Sequence, residues 1–186
     1  PHRPGAAGGS AHRHPVYRLQ EKRRRQPKIV NWLWLAPLIL ALDQATKWMV
    51  ANSMVESQSI PVLGDFFRLT YIHNRGAAFG IDVGSPLLHL LFSLVALGAL
   101  GWMFYTAPPG ARLLRCSLSL VLGGALGNLV DRVRIEKVVD FFDFGLGDLR
   151  WPVFNVADSF VTVGIFLLIL TYSRHQEAET PAPDPH

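Results

Sequence analysis

PLLHLLFSLVALGALGWMFYT, residues Pro86 to Thr106, contains no Asp, Glu, Lys or Arg, and His89 is its one imidazole. A helix needs about 20 mostly apolar residues to cross a bilayer. This run has both the length and the composition, and it lacks the polar face that a helix packed in a soluble core would show. Working outward, three further stretches approach the same length: Asn31 to Ala51, Leu113 to Val130 and Phe154 to Tyr172. The first carries Asp43 and Lys47, and the third contains Arg115 near its start. A charged interior and a long basic lead argue against a cleaved signal peptide for the first run.

Of 186 residues, 49% are hydrophobic and 17% charged. Residues 1 to 28 hold eight Lys or Arg against only Glu21, so the formal net charge of +4 belongs to this tail and the remainder is acidic on balance. No general nucleic-acid surface is implied. Arg23, Arg24 and Arg25 fit a cytoplasmic flank beside anionic lipid, as do Arg112 and Arg115 in the turn after the second run and Arg174 after the fourth. Both termini are then cytoplasmic, and the connections 52 to 85 and 131 to 153 lie outside. Phe66 to His73 alternates and is rich in aromatic and β-branched residues, which predicts short strands there. The expected fold is an all-α membrane protein with four transmembrane helices and a small extracytoplasmic β-rich element between the first and second spans. Its divisions are a basic, disordered cytoplasmic tail (1–28), a four-span domain (29–173) and a second disordered cytoplasmic tail (174–186). Cys116 is alone, so an internal disulfide is excluded, and its apolar setting points to helix packing.

Polar residues inside such runs are the candidates for function, because a charge in a bilayer costs about 2.5 kcal/mol or more. Asp158 opens the fourth run within Phe154-Asn155-Val156-Ala157-Asp158. Asp43 and Lys47 are four apart and share a helix face, which suits an ion pair. In Gly123-Gly124-Ala125-Leu126-Gly127-Asn128-Leu129-Val130-Asp131-Arg132, Gly123 and Gly127 would admit a neighbouring helix. Asn128, Asp131 and Arg132 follow at spacings that deliver an amide, a carboxylate and a guanidinium to one side. Asn74-Arg75-Gly76-Ala77-Ala78-Phe79-Gly80 is glycine-rich but lacks the ending of a phosphate loop. Val138-Val139-Asp140-Phe141-Phe142-Asp143-Phe144 embeds carboxylates among aromatics. Asp140 lies 18 residues before Asp158, but spacing does not choose among Asp131, Asp140, Asp143 and Asp148 as its partner. No metal set emerges from the seven His residues, and Ser159 has neither an elbow motif nor a base beside it.

These blocks, in this order, resemble the lipoprotein signal peptidases, the bacterial type II signal peptidases. The matching pieces are Asp43-Gln44-Ala45-Thr46-Lys47, Asn74 to Gly80, Gly123 to Arg132, Val138-Val139-Asp140-Phe141 and Phe154 to Asp158, spread over roughly residues 31 to 173. The resemblance implies an aspartyl endopeptidase of the bacterial inner membrane, with Asp140 and Asp158 as its catalytic pair near the extracytoplasmic face. It implies a prolipoprotein substrate already carrying diacylglyceryl on its lipobox Cys, cut just before that Cys. Neither metal nor organic cofactor is required, membrane lipids surround the enzyme, and it is expected to act as a monomer. Asn128, Arg132 and Asn155 would hold the pair and the substrate, with Ala157 beside them and Asp131 with Arg132 as a structural ion pair. Asp43 and Lys47 would support the site, and Asn74 and Gly76 would line the substrate groove. A small proton-coupled transporter or channel is the alternative, since intramembrane carboxylates also serve proton relays.

Overall fold

The computed structural model describes residues 32–75, 85–108 and 110–179. Each apolar run becomes a helix: α1 (Leu35–Ser53), α2 (Pro86–Thr106), α3 (Arg112–Ile135) and α4 (Val156–Glu179). Their ends follow local chemistry. Pro86 starts α2, where a missing N–H is harmless, and the helix stops at Ala107, which Pro108 holds extended. Arg132 and Arg134 occupy the last turn of α3, where the helix dipole favours cations. Glu136 then takes a left-handed conformation (φ 58°) and turns the chain off the helix axis.

By length and composition, α2 and α3 qualify to cross a membrane, and the apolar part of α4, Val156–Tyr172, is shorter. α2 buries none of its residues and presents Phe92, Val95 and Trp102 outward. In water such a surface would be untenable. α3 is the central helix and packs against the other three. The close approach expected at its glycines serves two partners: a Cβ on Gly123 would strike Ala36 and Ile39 of α1, and one on Gly124 would strike Ala157 and Val161 of α4.

The β element differs from expectation. Strands β1 (Ser59–Leu63) and β2 (Phe67–Asn74) do lie between the first two helices, but β3 (Val138–Leu146) and β4 (Leu149–Arg150), between α3 and α4, complete one antiparallel sheet of order β1-β2-β3-β4. The chain is therefore not all-α. Val138 to Phe144 is a run of β-branched and aromatic residues that completes the ladder along β2, with Asp140 opposite Ile72 and Val138 opposite Asn74. Val139, Phe141 and Tyr71 pack against Val50 of α1 and Val156 of α4, a small core that fastens the sheet to the helix ends.

α4 continues to Glu179, beyond the boundary set at residue 173 from the loss of apolar residues. Charge ends an apolar run but not a helix, and the Gln, Glu and Ala residues after Arg174 favour helical backbone. The tail 1–28, Gly76 with the remainder of its glycine-rich stretch, and residues 180–186 lie outside the described residues.

Candidate active site

Asp158 is fixed by the way α4 begins. Asn155 precedes the helix, and its Oδ1 accepts the N–H of Asp158 at 2.9 Å, while Asp158 Oδ2 accepts the N–H of Asn155 at 3.2 Å. This reciprocal pair is a capping box, and it pins both residues on the helix N-terminus. There the dipole favours negative charge.

The chain reaches that point by running back along β3. Phe154 exchanges hydrogen bonds with Phe142, its N–H donating at 3.0 Å and its carbonyl accepting at 2.7 Å. Asn155 therefore arrives beside Asp140. Its Nδ2 donates to Asp140 Oδ1 at 2.7 Å, to Asn128 Oδ1 at 3.1 Å and to the Val139 carbonyl at 3.2 Å. Asn128 Nδ2 donates to Asp158 Oδ1 at 2.7 Å. Across the sheet, Asn74 Nδ2 donates to Asp140 Oδ2 at 2.9 Å, as a diagonal neighbour on one face of β2 and β3 can. One side chain, Asn155, thus touches both carboxyl residues.

A buried ion network backs this pair. Lys47 is 3% exposed and Asp43 0%, and their pairing at 2.9 Å follows the expected four-residue spacing. The Lys47 ammonium also meets Asp131 Oδ2 at 2.9 Å and donates to Asn128 Oδ1 at 2.8 Å. All three of its protons are matched, which is what makes a buried lysine tolerable. Asp43 Oδ1 accepts the Ala157 N–H at 2.9 Å, and Asp131 Oδ2 accepts that of Val139 at 3.1 Å. The network therefore ties α1 to the starts of β3 and α4.

Asp131 is thus the partner of Lys47 and not of Arg132, because adjacent helix residues diverge by about 100°. The charges of Asp158, Asp140 and Asp131 all act on the Arg132 guanidinium. Asp143 is held by Arg150 Nε at 2.7 Å and Thr70 Oγ1 at 2.6 Å, and Asp148 is exposed. Of the four carboxylates that spacing left open, Asp140 is the one beside the Asp158 cap.

The two carboxyl groups differ in environment. Asp140 is 1% exposed, whereas Asp158 is half-buried. Burial and then the Asp158 charge push the Asp140 carboxyl up to about 7, against the opposing pull of the Asn74 and Asn155 amides and of Lys47. A carboxyl pushed up to about 7 can keep its proton near neutral pH and act as an acid, and Asn155 links it to the Asp158 cap.

Gln44 was not among the expected site residues. Its Nε2 reaches Asp43 Oδ2 (3.2 Å), the Gly127 carbonyl (3.1 Å) and Asp131 Oδ1 (3.0 Å), joining α1 to α3. Its place beside Asp43 was the available signal, but only the helix packing shows which way its amide points.

The signal peptidase (SPase) II family profile matches residues 35–174. The lipoprotein signal peptidase of Syntrophotalea carbinolica is 42% identical over 145 residues, 76% of this chain and 90% of the relative. That of Syntrophus aciditrophicus is 41% identical over 157 residues, 82% and 98% of the two chains. A solved bacterial membrane enzyme, determined by the in meso method at 2.3 Å, superposes with a TM-score of 0.74 at 31% identity, covering 85% of this chain and 96% of that one. The fold, the order of the polar blocks and these likenesses agree: the chain belongs to the signal peptidase II family.

Proposed function

We propose that this peptidase removes the signal peptide from diacylglyceryl-modified prolipoproteins by an aspartyl mechanism, cutting before the lipidated Cys with Asp140 and Asp158. The observation that carries this reading is the Asn155 side chain, which donates to Asp140 and caps the helix through Asp158, so both carboxyls are held in one register. The relatives bear the name lipoprotein signal peptidase, which supplies the substrate class. The family match also weighs against a transporter.

In this mechanism Asp158, half-open and at the helix N-terminus, is the ionised partner and takes a proton from water as the water oxygen attacks the scissile carbonyl. Asp140 holds the shared proton, hydrogen-bonds the developing oxyanion and passes the proton to the amide nitrogen as the C–N bond breaks. The proton held on Asp158 then returns to Asp140, leaving a carboxyl end on the signal peptide and a free amine on the lipidated Cys. Arg132 opposes the negative charge gathered at the pair. Asn128 and Asn155 fix the carboxyl orientations, and Asn74 holds Asp140 from the sheet side.

Asp140→Asn and Asp158→Asn are each expected to lower cleavage of a diacylglyceryl-modified prolipoprotein by about 10³-fold or more, while the protein still inserts and melts cooperatively. Turnover near the wild-type rate in either purified variant overturns the pair. Equal cleavage of the unlipidated substrate overturns the substrate class and leaves the pair standing.

A further inference from the structure

The sheet has two faces of opposite chemistry. Successive strand residues point to opposite sides, and the register puts Ser59, Arg68, Thr70, Asp143 and Arg150 on one of them. There they bond to one another and to Asp65: Ser59 with Thr70 at 2.8 Å, Thr70 with Asp143 at 2.6 Å, Arg150 with Asp143 at 2.7 Å and Arg68 with Asp65 at 2.8 Å. Two arginines balance two carboxylates, so this face is polar without surplus charge.

The other face begins at Asp140 and continues along β3 through Phe142, Phe144 and Leu146. The rings of Phe67 and Phe144 stack at 4.6 Å and those of Phe144 and Phe154 at 5.8 Å, while Phe66 meets Phe144 edge-on at 5.7 Å. Around this aromatic floor stand Leu63, opposite Phe67, Leu149, opposite Leu146, and Trp151, whose N–H donates to the Phe144 carbonyl at 2.7 Å. Leu63, Leu146, Leu149 and Trp151 are between 63% and 83% exposed. The turn that joins Leu146 to Leu149 is tied to the polar face, where the Gly147 N–H donates to Asp65 Oδ2 at 2.7 Å. A contiguous apolar patch of this kind marks a surface that another apolar phase covers.

What covers it follows from its place in the chain. Phe154 belongs to this face, and Val156, two residues on, starts α4, whose outward Val163, Ile165 and Phe166 are exposed. The lipid-facing surface of the bundle therefore runs on into the sheet. Trp151 comes just before that junction, and indoles of membrane proteins gather at the headgroup layer.

We propose that this face of the sheet rests in the lipid leaflet at its end of the bundle, with Leu63, Leu146, Leu149 and Trp151 at headgroup and upper acyl depth and the arginine–carboxylate face in water. Apolar burial holds it there and attraction to anionic lipid does not, because the polar face has no cation to spare. Asp140 shares the face, two residues from Phe142, so the seating sets the depth of Asp140 relative to the headgroups. The proposal rests on the membrane placement of the helices and not on the roles given to Asp140 and Asp158.

The test is fluorescence quenching of the full chain in phosphatidylcholine vesicles, with Trp32, Trp34, Trp48 and Trp102 replaced by Phe so that Trp151 is the remaining indole. The comparison protein adds Trp151→Phe and Ser59→Trp, which moves the indole to the polar face. Phosphatidylcholine brominated high on its acyl chains is expected to quench Trp151 about threefold or more above the indole at position 59, with aqueous iodide giving the reverse order. Adding phosphatidylglycerol should leave both values unchanged. Leu146→Asn with Leu149→Asn should about halve the quenching of Trp151 by the brominated lipid, with the melting temperature in detergent showing that the fold is kept. Iodide reaching Trp151 as readily as position 59 would put the face in water, and protection from both quenchers would mean that a second copy or another part of the chain covers it. Quenching that needs phosphatidylglycerol, or that is unchanged by the leucine substitutions, would show that apolar seating is not what holds the sheet. Each of these results overturns the proposal.

Discussion

At the scale of single residues, the asymmetry between Asp140 and Asp158 has consequences for stability as well as for chemistry. The Asp140 carboxyl moves from 3.8 to about 7 in the folded protein, first through burial and then through the Asp158 charge. Below about pH 4 the group is protonated in folded and unfolded chains alike, and nothing is lost. Between about 4 and 7 only the folded chain keeps the proton, so stability falls as pH rises. Above 7 the full loss is present, on the order of 4 kcal/mol. The wild-type melting temperature is therefore expected to fall more steeply from pH 5 to pH 8 than that of Asp140→Asn. The Asn variant turns an amide toward the Asn74 or Asn155 donor, but that loss is the same at every pH and cancels in the slope. Parallel profiles would show that Asp140 carries no raised carboxyl. If the proposed mechanism holds, cleavage should decline over the alkaline part of the same range, as the proton that it assigns to Asp140 is lost.

At the scale of elements, the site is assembled from the middle of α1, the C-terminal part of α3, the start of β3 and the first turn of α4. Part of this was legible in the sequence. Asn155 and Asp158 have the three-residue separation of a capping box, and Asp43 and Lys47 have that of a helical ion pair. The choice of Asp140 was not legible from spacing, because it depends on β3 pairing with β2 and on Phe154 returning along Phe142, contacts between residues distant in sequence. The run Val138 to Phe144 lacks clean alternation because both its faces are covered, which hid the strand. The glycines of α3 test how tightly the ends are set. A methyl on Gly127 would lie 2.5 Å from Asp43 Oδ2, displacing the carboxylate that holds Lys47 and the Ala157 N–H. Gly127→Ala is expected to destabilise by about 1–3 kcal/mol and to cut cleavage. Gly98→Ala and Gly101→Ala on α2, where nothing lies within 4 Å, should be neutral or slightly stabilising. Thermal melts of the three variants in one detergent compare them directly, and equal tolerance at Gly127 would mean that Asp43 is not seated as described.

At the scale of the whole molecule, charge is sorted by position along the helices. Asp43, Lys47, Asn128, Asp131, Asp140 and Asp158 gather at the end of the helix bundle that carries the sheet, while Arg112 and Arg115 stand at the other, where Arg115 Nη2 donates to the Ala107 carbonyl at 2.5 Å and closes the turn between α2 and α3. Between these ends the outward surface is apolar, with Leu91, Phe92, Val163 and Phe166 all exposed. Membrane-facing runs are easily read from sequence, since lipid demands only apolar length. The interior is not, since it is built from a few polar residues whose partners come from other helices. The excess of arginine at the α2–α3 turn predicts that this end is cytoplasmic and the sheet end extracytoplasmic. In a Cys116→Ser background, a cysteine at Asp148, exposed on the β3–β4 hairpin, should react with an impermeant maleimide in intact cells with a permeable outer layer. A cysteine at Gly110, in the α2–α3 turn, should react only after the inner membrane is opened. The reverse pattern would place the aspartate pair on the cytoplasmic side and overturn the extracytoplasmic placement of the proposed site.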